Sequence, residues 1–387
     1  MEIKQVYNFV NDAQKEAIGD SVLLNEDLSN IVDVGKAVIS SSDSKDKFIN
    51  ALVNRIGREI FVNRKYEGFA PKLVRDAWTY GSIKMKVSGR LKEAQENETW
   101  ELQDGTSYDP NVFYGSDVVV KFYNKRVTYE VPVSIGEIQL EQSFTNATSM
   151  SAFIDMLFND IETSMTIKND EVLLRTINNM IIETIHDDFG ANALSSMSGV
   201  KAINLLYEYN TNVNGGTPLT KDNCLYDKAF LKYATQRIAL TLGRLKRASK
   251  LFNIGGEVRF TPKDRLYVVM LDDLKAKADT YLSSDTFHDE LVALPNADTT
   301  PYWQGSGQNY EFSATSHIKA TSTEGNSLDA YGILACAFDM DSLGVSNEKK
   351  RVTSNYNGKA EFFNYWHKMD AEYWNDFNEN FVVFFVQ

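Results

Sequence analysis

The chain has 387 residues, 43% of them hydrophobic, seven prolines, and 53 Asp and Glu against 40 Lys and Arg, a formal charge of −13. That size and apolar content suit a soluble protein of two or three structural units, and the negative balance disfavours one that coats DNA or an anionic membrane. No run reaches the roughly 18 apolar residues of a membrane span, and the opening MEIKQVYNFV lacks a signal peptide's order of basic and apolar residues.

Residues 1–45 are polar and mixed in charge, ending in the linker-like SSSDSKD at Ser40–Asp46. An arm of this kind is expected to order only on neighbouring surfaces. Phe48, Leu52, Val53, Ile56, Ile60 and Phe61 recur at helical spacing and predict a short helix ending near Asn63.

A β-hairpin follows. Ile83, Met85 and Val87 alternate with polar residues, as do Val118, Val120 and Phe122, across a polar insert at Leu91–Ser116 with turn signals at Asp104-Gly105 and Asp109-Pro110. Such a hairpin has too little apolar surface to stand alone and is expected to pack on something else. Val127, Tyr129, Val131 and Val133 continue as a strand, which Pro132 assigns to a sheet edge.

From Ser151 to Ile185 the chain has neither Gly nor Pro, and apolar residues keep a helical period with one phase slip near Ile167–Asp170. The pattern predicts one long helix on the order of 50 Å, capped by Ser149 or Ser151, rather than a heptad coiled coil. Residues 190–338 read as a separate α/β unit. It carries helices near Val200–Tyr209 and Asp227–Lys250, a strand at Leu266–Met270, a helix at Asp273–Tyr281 and an apolar strand near Tyr331–Phe338. Arg351–Gln387 holds ten aromatics beyond Glu361 and ends in the apolar run Phe381–Val386, a tail that must be tied into a sheet or an interface. It is expected to rejoin the sheet near the long helix.

No chemistry accompanies these elements. The neighbours His186-Asp187-Asp188 and His288-Asp289-Glu290 point in different directions and do not make a metal site. The chain has no Gly-x-Ser-x-Gly, no phosphate-cradling loop, no His-Glu-x-x-His and no dinucleotide fingerprint. Cys224 and Cys336 read as reduced structural thiols of a cytoplasmic compartment. The run RLKRASK at Arg244–Lys250 reads as a solvated or salt-bridged helix end. The expectation is therefore no catalytic, metal or cofactor site.

The order of elements, with VTYEVPVSIGEIQLE, TPKDRLYVVMLDDLKAKADTYLSSDTFHDELV and NGKAEFFNYWHKMDAEYWNDFNENFVVFF, resembles the tailed-bacteriophage major capsid proteins of the Hong Kong 97-like fold. The resemblance covers nearly the whole chain and implies an α+β fold in named parts. These are an N-terminal arm and short helix at 1–65, an extended hairpin loop at 66–125, a peripheral domain with its spine helix at 126–189 and 339–387, and an axial α/β domain at 190–338. It implies a non-enzymatic shell protein that assembles as hexamers and pentamers around double-stranded DNA, held without sequence-specific binding. It further implies a virion component made in the host cytoplasm, with no membrane partner, a portal, and a separate scaffolding protein. Residues 1–45 are too short and too unlike a helical scaffold to be a cleaved prodomain, and are expected to be retained. No crosslink is assigned to Lys84, Lys86 or Lys92. Assembly contacts are expected at Ile83, Met85, Val87, Val118, Val120, Phe122, Phe381, Phe384 and Phe385. An encapsulin-like nanocompartment is the alternative within the fold, and an α/β enzyme with a long lid helix the alternative outside it.

Overall fold

Two compact units share the chain: residues 1–81, 126–173 and 345–372 form the first, and residues 82–125, 174–344 and 373–387 the second. The computed structural model describes residues 3–19, 23–26, 29–40, 44–52, 71–76, 84–89, 111, 113, 115, 118–190, 192–282, 297–304 and 311–387.

In the first unit, the residues expected to be a polar arm form two helices, α1 (Ile3–Ile18) and α2 (Ile31–Ile39), followed by α3 over 44–52. This corrects the reading of an arm that orders only on neighbours. Val10 and Ala13 of α1 and Ile31, Val34 and Val38 of α2 are buried within the chain itself. Asn11 ties the α1–α2 connection, donating to the Leu24 carbonyl at 3.1 Å and accepting its N–H at 2.7 Å. Gly35 sits inside α2 because a Cβ there would lie 2.6 Å from the Phe144 side chain. The expected continuation of α3 to Asn63 lies outside the described residues.

The unit's sheet has the order β1 (Val74–Asp76), β11 (Leu343–Asn357), β12 (Phe362–Asn375), β4 (Arg126–Gly136). β4 lies at the edge, where Pro132 removes no ladder donor. β12 runs antiparallel to β4 with Phe363 opposite Ile135, His367 opposite Val131 and Met369 opposite Tyr129. Alternation puts all six on one face, and all six are buried. Tyr365 shares that face and donates to Asn50 of α3 at 3.3 Å. Phe144, just beyond α4 (Glu137–Ser143), meets Phe48 with ring centroids 5.4 Å apart.

The long helix is α5, Ala147–Phe189, 43 residues. At about 1.5 Å per residue it runs about 64 Å. Asn146, rather than either serine, caps it by accepting the Ser149 N–H at 2.8 Å. Gly190 ends it in the left-handed region (φ 58°), donating to His186 O at 2.8 Å.

The second unit is built on a five-stranded sheet of order β5 (Ala202–Asn204), β13 (Phe381–Phe385), β10 (Ile333–Asp339), β6 (Leu266–Leu271), β7 (Ala297–Thr300). β6, β10 and β13 are buried along their whole length, which is why β6 and β13 read as unbroken apolar runs and β10 as one until its last residue, Asp339. One face, with Val268, Leu334, Val382 and Phe384, packs on α6 (Leu205–Asn212) and α7 (Lys228–Leu245) through Leu205, Tyr209, Phe230, Leu231, Ile238 and Leu242. On the other face Phe385 meets Phe189 of α5 at 5.7 Å between centroids, and Phe338 stacks on Phe381 at 5.3 Å. α8 (Asp272–Leu282) and the small hairpin β8 (Ile318–Thr321)–β9 (Ser327–Ala330) complete the unit.

Two expectations change here. Residues 202–204, expected to be helical, form β5, and Asn204 caps a shorter α6 by accepting from Tyr207 N at 3.1 Å. The tail divides: its first part is β12 of the first unit's sheet, while β13 lies between β10 and β5 in the second. Glycine 332 makes that placement possible. At φ 78° its carbonyl accepts the Val386 N–H at 2.8 Å, and a Cβ there would stand 2.0 Å from the Val386 carbonyl oxygen.

Candidate assembly surface

β2 (Lys84–Gly89) and β3 (Val118–Tyr123) pair antiparallel, with Met85 opposite Phe122, Val87 opposite Val120 and Gly89 opposite Val118. Cross-strand partners share a face. Met85, Val87, Val118, Val120 and Phe122 therefore form one apolar ladder, and each is between 45% and 65% exposed. Ile83 lies outside the described residues.

The polar side of the hairpin is the anchored one. Lys86 Nζ donates to Asp376 Oδ2 at 2.6 Å and Glu379 Oε1 at 2.8 Å, and Lys121 Nζ donates to Asp376 Oδ1 at 2.7 Å. Arg259 adds a longer ion pair to Glu379 at 3.6 Å. The Asp376 side chain is 2% exposed. Burial acts most strongly on it and would raise its carboxyl, but the bonds and charges of Lys121 and Lys86 outweigh that and hold it below the usual aspartate range. Burial likewise would lower the Lys86 ammonium, and its bonds to Asp376 and Glu379 hold it above the ordinary lysine value. Burial first, then the Asp376 charge, pushes the Tyr123 phenol far up.

The usual arrangement of a surface hairpin is thus reversed: Lys86 and Lys121 face inward and the apolar ladder faces out. Alternation in KMKV and VVVKFY carried the signal for the ladder. Nothing local in WNDFNEN marks Asp376 and Glu379 as its anchors, because the partners lie 255 to 293 residues away in the chain.

The tail phenylalanines do not share this exposure. Phe381, Phe384 and Phe385 are at most 1% exposed. Their expected role as contacts is corrected: β13 is a central strand, paired on both edges by β5 and β10, with α6 and α7 packed on one face and α5 on the other.

Other sequence features resolve into structural roles. Asp188 accepts the Lys201 and Ala202 N–H groups at 2.6 and 2.8 Å and, with Asp187, pairs with Lys201 Nζ, which positions β5. Glu208 is held below the usual range against the opposing pull of burial by Arg237, Ser198 and Tyr233. Cys224 and Cys336 are buried free thiols, and burial raises Cys224 to about 12. His288-Asp289-Glu290 lies outside the described residues. Among the described residues no group of three or more His, Cys, Asp or Glu is placed to hold a metal, and no helix is long and apolar enough to cross a membrane.

Comparison with known proteins places this architecture. No curated protein matches the chain. Solved structures similar to it include the capsid of Staphylococcus phage Andhra (9% identity over 81% of this chain and 83% of that one, TM-score 0.53). They also include a chain from the structure of the head fiber and inner core protein gp22 of bacteriophage P68 (9%, 81% and 83%, TM-score 0.48). A third is the capsid of cyanophage P-SCSP1u (10%, 84% and 88%, TM-score 0.44). Of these three the first alone exceeds a TM-score of 0.5, and at its identity the likeness concerns fold. The model of the Phi29-like phage major capsid protein matches residues 9–385. With a two-unit α and β fold, an outward apolar ladder and a match along nearly its whole length, the chain belongs to the Phi29-like phage major capsid protein family and is a capsid shell protein.

Proposed function

We propose that the subunit assembles as hexamers and pentamers into an icosahedral shell around double-stranded DNA, and that the hairpin ladder is a contact with a neighbouring copy. The observation that carries this is the outward face of Met85, Val87, Val118, Val120 and Phe122. A contiguous apolar strip on a two-stranded ribbon gains by burial against another surface, about 25 cal/mol for each Å² covered. The ion cluster at Asp376 fixes the ribbon on its own subunit, so the strip is presented in one orientation rather than collapsing inward. Repetition of one such contact around a closed shell sums many weak interactions.

The same reading gives the chain a structural rather than catalytic role and a place in the virion after assembly in the host cytoplasm. Its partners are a separate scaffolding protein, a portal and packaged DNA held without base recognition. A subunit of charge −13 repels the genome on the whole, which keeps packaged DNA free to move. Strong, salt-sensitive binding of duplex DNA by purified capsomers would contradict this.

The deciding experiment replaces Val87 and Val120, the central cross-strand pair, with Asp. The expected result is a folded subunit, native by circular dichroism and thermal melting, that forms no particles in electron micrographs. Particles of normal size and yield from the double variant would sink the proposal.

A further inference from the structure

Among the described residues α7 presents an unpartnered face as well as a buried one. Gln236, Ala239, Leu240, Gly243, Arg244 and Arg247 recur every three or four residues and line a groove of about 440 Å³. Leu231, Ala234, Ile238, Leu242 and Leu245 occupy the opposite side and belong to the core. Leu240 is 50% exposed. The groove is notched at Gly243, where a Cβ would meet no atom within 4 Å.

The loop after the helix extends the patch. Ser249 and Arg259 exchange backbone hydrogen bonds at 2.9 and 3.0 Å, and Thr261 N–H donates to Leu245 O at 2.8 Å. Those bonds hold Phe260 at this end of α7, 55% exposed. Arg244, Lys246 and Arg247 are exposed beside it, and none has a carboxylate partner among the described residues. Compensation of the helix dipole accounts for a cation in the last turn, where Arg244 stands. It does not account for an exposed leucine and phenylalanine, or for a glycine that weakens the helix.

We propose that this groove receives an acidic amphipathic helix of a second polypeptide. Small apolar residues of that helix would lie over the Gly243 notch against Leu240 and Phe260, while its carboxylates meet Arg244 and Arg247. The cations on this face stand out against a chain of net charge −13, so charge selects an acidic partner. The apolar half selects a helix over a nucleic acid, whose phosphates would lose water against hydrocarbon that offers them no hydrogen bond. The inference is independent of the contact assigned to the hairpin.

The test uses the purified full chain and a fluorescein-labelled helical peptide of about 20 residues, with glutamates on one face and alanine and leucine on the other. Anisotropy should show saturable binding that weakens about tenfold or more in R244E/R247E and in G243L, where a side chain fills the notch. A scrambled peptide of the same composition should not bind, and both variants should keep native circular dichroism and still form particles. The proposal is overturned by absence of saturable binding to the wild type, or by equal binding of the variants or of the scrambled peptide. Tighter binding of a short DNA duplex through the same arginines also overturns it. So does loss of particles in G243L, which would put a second copy of the chain on this face.

Discussion

Lys86 and Asp376 lie 290 residues apart in the chain, yet their Nζ and Oδ2 atoms are 2.6 Å apart. This pair, with Lys121 and Glu379, sets which way the hairpin faces: the lysine side is anchored and the hydrocarbon side is left outward. Four predictions follow from this and neighbouring arrangements.

Asp376→Asn removes the charge that both lysines share. Breaking a buried pair costs about 3–5 kcal/mol, and because the lysine side chains stay partly exposed the expected loss is about 2–3 kcal/mol. Chemical denaturation should show that drop, and proteolysis should cut within residues 84–123 first. An unchanged cleavage pattern would mean that the cluster does not hold the hairpin.

The clamp should also set limits in pH. Asp376 is depressed in the folded subunit, so its contribution is present above the unfolded value of about 3.9 and is lost as pH falls through the folded one. Lys86 is raised, so its contribution is present below the unfolded value of about 10.4 and is lost as pH rises through the folded one. Hydrogen-exchange protection at 84–89 and 118–123, measured relative to the intrinsic rate at each pH, should be high between those limits and fall beyond both.

His367 makes the first unit sensitive to milder acid. It is 0% exposed on the inner face of β12, and neither ring nitrogen has a hydrogen-bond partner among the described residues. Burial lowers it to about 4. The unfolded chain then takes up the proton first, so stability is fully present above about pH 6.5 and falls by up to about 1.4 kcal/mol per pH unit towards the folded value. His367→Met, which keeps the volume and removes the titration, should flatten urea midpoints between pH 7 and pH 5, about the span in question. An equally steep acid loss in the variant would assign the effect to other groups.

Deleting Phe381–Gln387 removes a central strand, leaving β10 and β5 with open edges. Loss of three buried phenylalanines, each worth about 3–5 kcal/mol when truncated, is comparable to the total stability of a typical domain, about 5–15 kcal/mol. The expected product is aggregated chain rather than a trimmed, assembly-competent subunit, read by sedimentation of the soluble fraction. Normal shells from the truncated chain would contradict the placement of β13 in the core.

Much of this was legible in the residues, and for identifiable reasons. Alternation over Met85–Val87 and Val118–Phe122 is a local property, and the observed register pairs those residues with one another. The helical period beyond Ser151 likewise needed no distant partner, although its true cap, Asn146, lay several residues upstream. The apolar run at Phe381 marked a buried strand, but its sheet is chosen by β5 and β10, whose sequences carry no label for it. The helices before residue 40 escaped notice because their buried set is small. α2 in addition spends a core position on Gly35, chosen for the approach of Phe144 rather than for helix propensity.

The position of β13 has a consequence for how the subunit is made. β5, β6, β7 and β10 all precede it in the chain, so a ribosome releases four strands of the sheet before the one that joins β5 to β10. Asp376 and Glu379 emerge just ahead of it, long after Lys86 and Lys121. A nascent chain therefore carries an unanchored hairpin and an open sheet, and both are completed by the same short stretch of translation. Until that stretch emerges the open edges of β5 and β10 and the unanchored ladder are exposed together, and one late step of synthesis closes the sheet and supplies the hairpin's anchors.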